Sequence, residues 1–159
     1  MALKIKKITV VCTGNVCRSP MAERLLAHAL TAQGEPLNSI QVNSAGVSAY
    51  PGDPASENSV KALSKVGLDL SNHSSNRLTT QLADESDLIL VMTSSHKAII
   101  ERLDPSIMDK VFLFREFDNP DYPEVPDPYG GSLDQYLDTR DSLVGAVPAI
   151  ISYLKSLKS

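Results

Sequence analysis

Apolar runs of strand length alternate along this chain with longer stretches in which apolar residues recur every three or four positions. Residues 7–11 (KITVV) are continuously apolar after Lys7 and rich in β-branched side chains, which predicts a strand buried on both faces. A loop over 12–18 follows. Ser19 as N-cap, with Pro20 at the first helical position, then opens an amphipathic helix (MAERLLAHALTAQ) that Gly34 closes. A second strand is predicted at 40–43. Asp53 and Pro54 give another cap-plus-proline start, to a helix that carries Val60, Leu63 and Val66 and ends at Gly67. Residues 71–83 read as a loop and a short helix, 87–92 (DLILVM) as a strand, and the stretch to Leu103 as a helix capped by Ser94 or Ser95. The fourth strand is 110–114 (KVFLF). Residues 115–131 hold four prolines and two glycines and read as a long loop, of the kind that is usually functional in a compact domain. Ser132 caps a closing helix to about Leu157, with a break or kink expected at Gly145 and Pro148.

Strands alternating with helices are the signature of a parallel sheet. The prediction is a single-domain α/β three-layer sandwich over residues 1–159, with a four-stranded parallel sheet in the order 2-1-3-4 and right-handed crossovers. Strand one then lies where the strand order reverses. Ligands of open α/β sheets bind beyond the carboxyl ends of the strands at that point, which is where the loop 12–18 emerges. The loop after strand four, carrying Asp127, leaves the sheet at the same end.

Composition narrows the function. The 159 residues are 42% apolar, enough for a core without disulfides or metals. Residues 1–7 are basic, but the apolar run after them stops at Cys12, too soon for a signal segment or a membrane span, so a cytoplasmic protein is expected. A net charge of −4, from 15 basic and 19 acidic residues, speaks against nucleic-acid or membrane-surface binding. Any anion site must be local. The two cysteines, Cys12 and Cys17, share one short segment with no zinc-type partners elsewhere, so they point to chemistry rather than to a disulfide framework or a metal.

The segment VVCTGNVCRSP is a strand, a tight loop and a helix start in immediate succession. Backbone N–H groups turned into such a loop, together with the positive end of the helix dipole, form a cradle for a tetrahedral dianion. The same field favours the thiolate of Cys12. Arg18, six residues on, can hold two oxygens of the anion with its planar guanidinium. Gly14 permits a backbone conformation closed to other residues, and Asn15 suits a left-handed one. Ser19 can donate its hydroxyl to the Cys12 sulfur as well as cap the helix. Thr13, Val16 and Cys17 complete the lining of the anion site. Cys17 either packs under the helix start or forms a reversible disulfide that protects Cys12 from further oxidation.

CTGNVCRSPMAE together with DPYGGS resembles the low-molecular-weight protein tyrosine phosphatases, and the likeness runs from Ile8 to about Leu143, with Asn43-Ser44-Ala45-Gly46 following strand two. The resemblance implies that Cys12 attacks phosphorus to give a cysteinyl-phosphate while Arg18 and the loop amides stabilise the transferring group. It implies that Asp127 protonates the leaving group and then activates water. Tyr129 and Tyr50 match the aromatic walls of the family's pocket. His73 occupies the place of a histidine that hydrogen-bonds the loop asparagine, and Ser44 that of a serine supporting the same residue. Asp118, Asp121 and Glu124 read as solvated loop charges, and His28 and His96 as solvent-facing helical residues. No cofactor and no metal are required, because Arg18, the amides and the dipole supply the positive charge. The expected partner is a phosphorylated protein.

Other readings share parts of this pattern. VMTSSHKAII and DPYGGSLDQY look similar to the branch of the family that removes phosphate from arginine, which carries threonine where this chain has Val16. Valine offers an apolar contact suited to an aromatic ring, which tilts the expectation to phosphotyrosine. An arsenate reductase of the same fold needs a resolving thiol after the second helix, and 71–83 contains none. A phosphate-binding or carrier domain has no need of Arg18 and Asp127 together.

Overall fold

Apolar β-branched segments do form the centre of the molecule. The computed structural model describes residues 4–157; positions 1–3 of the basic amino terminus and 158–159 at the end of the expected domain lie outside the described residues. Four strands, β1 (Lys7–Cys12), β2 (Gln41–Gly46), β3 (Leu88–Val91) and β4 (Val111–Leu113), form one parallel sheet in the order β2-β1-β3-β4, as expected. The helices are α1 (Arg18–Thr31), α2 (Glu57–Ser64), α3 (Thr80–Glu85), α4 (Ser94–Leu103) and α5 (Leu133–Ser156), with short 3₁₀ turns at Leu37–Ser39 and Pro105–Lys110 that the pattern did not announce.

Alternating strand residues serve two cores. Ile8, Val10, Leu88 and Leu90 pack with Met21 and Leu26 of α1 and Leu143 and Ile150 of α5. Val11, Ile89 and Val91 face the other way, into Ala83 of α3 and Ile100 of α4. A parallel strand covered on both faces has no polar side to show, which is why KITVV and DLILVM lack the alternation of a half-exposed strand.

Several boundaries differ from expectation for physical reasons. β2 runs on to Gly46 because its carboxyl end pairs with β1 as far as Cys12. α1 begins at Arg18, with Cys17 at the N-cap and no side-chain cap, so Ser19 lies inside the helix and does not cap it. α2 begins only at Glu57: Asp53 is held extended by Ser75, whose Oγ accepts from Asp53 N at 2.8 Å and whose N–H donates to Asp53 O at 2.8 Å. At its other end α2 stops at Ser64, so Val66 lies past the helix and is exposed. α4 is capped by Thr93, not by either serine, through a reciprocal pair with His96. α5 is capped by Ser132 as expected, but it continues through Gly145 and Pro148 without a break. Its buried Ala146, Val147, Ile150, Ile151 and Leu154 keep it helical, since packing of the apolar face outweighs one missing backbone bond.

Gly46 shows how closely the sheet approaches the loop after β1. A Cβ added there would lie 2.5 Å from Thr13 O and 2.8 Å from Asn15 N. Gly46→Ala should therefore destabilise the fold by about 1–3 kcal/mol in urea titration, whereas Gly34→Ala, with nothing within 4 Å of the added carbon, should stay within about 0.5 kcal/mol of wild type.

Candidate active site

The loop between β1 and α1 turns its carbonyl groups outward. Cys12 O accepts from Val47 N at 3.0 Å, Thr13 O from Ser48 N at 2.9 Å and Val16 O from Ser56 N at 2.8 Å. Asn15 O is bound by His73 Nε2 at 2.7 Å, and Cys17 O accepts from Ser59 Oγ at 3.3 Å. Among the described residues, no N–H group of the loop from Thr13 to Cys17 donates to another protein group. These donors face the opposite way from the carbonyls, into the concavity above Cys12, where the first turn of α1 also points its free amides. The turn is made by Asn15, which adopts φ 57°. Left-handed backbone suits asparagine better than most residues.

Asn15 is wholly buried and every polar atom of its side chain is used. Its Oδ1 accepts from Asn76 N at 2.8 Å, and its Nδ2 donates to Ser44 Oγ at 2.9 Å and to Ser19 Oγ at 2.8 Å. Because an amide nitrogen only donates, both serines must pass their own protons on. Ser44 donates to Glu23 Oε1 at 2.6 Å. Ser19 lies 3.0 Å from Cys12 Sγ, placed to donate to the sulfur once it is ionised. The side chains of Asn15 and Ser19 thus stand behind the loop and brace it, and neither residue is among those lining the cleft. Ser44 and His73 belong to the same brace.

In front of the loop is a cleft of about 210 Å³ lined by Cys12, Thr13, Gly14, Val16, Cys17, Arg18, Asp127 and Tyr129. Arg18 is buried; its Nη1 donates to Val125 O at 2.9 Å and its Nη2 lies 3.5 Å from Asp127 Oδ2. Its Nε is buried with no hydrogen-bond partner among the described residues, a donor left for a ligand anion. The long loop is held to the sheet by Val125 N, which donates to Met92 O at 2.9 Å. Glu124 pins it further, accepting from Ser94 N and Ser94 Oγ, each at 2.8 Å. Glu124 is therefore a tether at the start of α4 and not merely a solvated charge. Asp127 follows, its Oδ1 accepting from Tyr129 N at 3.0 Å. Tyr129 is 74% exposed yet lines the cleft, whereas Tyr50, 80% exposed, is not among the lining residues.

The model of the low molecular weight phosphotyrosine protein phosphatases matches residues 7–159. The chain belongs to that family. It is 43% identical over 148 residues to the protein-arginine-phosphatase of Bacillus subtilis (strain 168), covering 93% of this chain and 96% of that one. It is 37% identical over 134 residues to the low molecular weight protein-tyrosine-phosphatase Etp of Escherichia coli (strain K12), covering 84% of each. A solved structure of the YwlE arginine phosphatase, a cysteine-to-serine mutant with a phosphorylated active-site serine, superimposes with TM-score 0.85 at 38% identity. That match covers 96% of this chain and 99% of the other. The chain is a hydrolase of this phosphatase family.

Within this phosphatase fold the sequence reading missed several residues. His28 is exposed as expected, but His96 is buried: its Nδ1 receives Thr93 N at 3.2 Å and its Nε2 lies 2.8 Å from Thr13 Oγ1. Its position three residues after a threonine at the carboxyl end of β3, on the same edge as the phosphate loop, was the available signal. Glu23 closes the CTGNVCRSPMAE motif but was given no role, and Asn76 and Ser56 have no motif of their own; all three are found only through the groups they satisfy. Cys17 is buried beside Tyr136, Sγ to Oη 3.3 Å, and burial pushes its thiol pKa up. Burial likewise pushes Tyr136 up to about 12.

Burial, with Arg18 next in importance, pushes the His96 pKa from 6.5 down to about 4. The unfolded chain then binds a proton below pH 6.5 that the folded chain refuses until about pH 4. Stability should fall as pH drops through that window, by on the order of 3 kcal/mol from this residue, and level off below it. Urea midpoints at pH 7, 5.5 and 4 check this: His96→Gln should flatten the slope, and an unchanged slope would contradict it.

Proposed function

We propose that this chain hydrolyses phosphotyrosine in proteins, and small aryl phosphates, through a cysteinyl-phosphate. The observation that carries the reading is the outward turn of the loop carbonyls, which leaves amides, Arg18 and the Cys12 sulfur facing one cleft that Asp127 also lines. The Cys12 thiolate attacks phosphorus and the S–P bond forms as the bond to the leaving oxygen breaks. Asp127 gives its proton to that oxygen. Arg18, including the unpartnered Nε, and the loop amides take the equatorial oxygens. Ser19 stabilises the thiolate, first as nucleophile and later as leaving group. Asp127 then removes a proton from water, which attacks phosphorus, breaks the S–P bond and releases inorganic phosphate.

Val16 and Tyr129 give the cleft two walls suited to an aromatic ring. A phosphorylated protein is the partner, and its phosphotyrosine the group the cleft receives. We infer a cytoplasmic reaction, in a compartment that keeps the Cys12 and Cys17 thiols reduced. No helix among the described residues is long and apolar enough to cross a membrane. A second reading, hydrolysis of phosphoarginine, is favoured by the 43% identity to the Bacillus subtilis protein-arginine-phosphatase.

Matched phosphotyrosine and phosphoarginine peptides decide between them. Wild type should favour phosphotyrosine in kcat/KM by roughly tenfold or more, and Val16→Thr should narrow the ratio. A wild-type preference for phosphoarginine would replace the first reading with the second. Separately, Cys12→Ser should abolish turnover, and Asp127→Asn should lower kcat on a phosphotyrosine peptide by about 10²–10⁴-fold. Activity unaffected by Asp127→Asn would remove that residue from the mechanism.

A further inference from the structure

Hydrogen-bond counting at Thr13 fixes where its proton points. Thr93 N donates to His96 Nδ1 at 3.2 Å, so Nδ1 is an acceptor and carries no proton. His96 is buried and, with its pKa near 4, neutral at pH 7, so its single ring proton is on Nε2. Nε2 lies 2.8 Å from Thr13 Oγ1 and therefore donates to it. Arg18 Nη2, which has only protons to give, reaches the same oxygen at 3.4 Å. A hydroxyl has two lone pairs and one hydrogen. With a donor on each lone pair, the Thr13 hydrogen is left for the cleft that Thr13 lines.

We propose that Thr13 donates its hydroxyl hydrogen to a phosphoryl oxygen of the substrate, and that His96 is the positioning residue that holds the hydroxyl in that orientation. This rests on the phosphatase reading of the cleft given above. Without His96 the hydroxyl is free to rotate and to spend its proton elsewhere. A lysine or a protonated imidazole could not take its place, since Arg18 is the charged neighbour and a positive ring would also lose the acceptor that caps α4. Neutral imidazole both accepts from the helix end and donates to Thr13.

The test uses the full chain, with kcat/KM on p-nitrophenyl phosphate and the inhibition constant of inorganic phosphate as readouts. Thr13→Val, which keeps shape and removes the hydroxyl, should lower kcat/KM about tenfold and weaken inorganic phosphate by a similar factor, while Thr13→Ser, which keeps the hydroxyl, should lose less than Thr13→Val in both. His96→Asn keeps an acceptor for Thr93 N but is too short to reach Thr13. It should reproduce most of the loss in wild type and add nothing on the Thr13→Val background. His96→Gln, long enough to donate to Thr13, should recover activity. Thr13→Val within twofold of wild type in both readouts overturns the proposal, as does a His96→Asn loss of equal size on both backgrounds, which is what a purely structural histidine gives. Wild type that neither turns over the aryl phosphate nor binds phosphate sinks the proposed function together with this inference; an active wild type matched by Thr13→Val overturns this inference alone.

Discussion

The outward turn of the phosphate-loop carbonyls is the constraint from which most of the surrounding structure follows. Each carbonyl buried without a donor costs about 1–3 kcal/mol, and the five carbonyls of Cys12, Thr13, Asn15, Val16 and Cys17 find donors in three separate stretches of chain. Val47 and Ser48 follow β2, Ser56 and Ser59 stand at the start of α2, and His73 comes from the loop before α3. The start of α2 belongs to the same scaffold: Ser56, at its N-cap, gives its N–H to Val16 O. The close approach of Gly46 to Thr13 and Asn15 belongs to it too, since any side chain there would displace the loop from its donors.

Asn15 adds direction to that scaffold. Its two amide protons fill one lone pair on each of two serines, so the serine hydrogens go elsewhere: Ser44 donates to Glu23, and Ser19 has Cys12 Sγ at 3.0 Å and Ala45 O at 3.4 Å within reach. Orientation that would otherwise depend on a freely rotating hydroxyl is thereby restricted by an amide that cannot accept through its nitrogen. The same logic operates across the loop, where a neutral imidazole and a guanidinium commit the hydroxyl of Thr13. The Asn15 network is strong in a buried setting because each polar atom of the amide is satisfied, and it is brittle for the same reason.

The fold was readable because its signals are local: continuous apolar runs, proline and glycine punctuation, and a change of period from strand to helix. Order 2-1-3-4 followed from connectivity rules alone. Cys12, Arg18 and Asp127 could be brought together because topology places the ends of β1 and β4 on one edge. What could not be read is what depends on a long-range partner. Asp53-Pro54 has the form of a helix start, but Ser75 holds it extended. Ser94 and Ser95 are good caps, but Thr93 has His96 to complete the pair. Pro148 has the form of a breaker, but the α5 face is too well packed to break. Ser19 has the form of a cap, but Asn15 and Cys12 claim its hydroxyl.

The division between committed and uncommitted residues bears on specificity. Cys12, Asn15, Arg18 and Ser19 are buried and each is hydrogen-bonded to its surroundings, Arg18 with its Nε left over, so a change at any of them disturbs the bonding around the loop. Val16 lines the cleft with a side chain that enters none of these bonds, and Tyr129 stands largely in solvent on a loop anchored elsewhere. Relatives described as arginine phosphatases and as tyrosine phosphatases share this family at 34–43% identity to the chain. A fold held constant while the substrate changes requires specificity to reside where substitution leaves the carbonyl donors and the Asn15 network intact. Position 16 and the segment after Asp127, which both line the cleft, meet that condition.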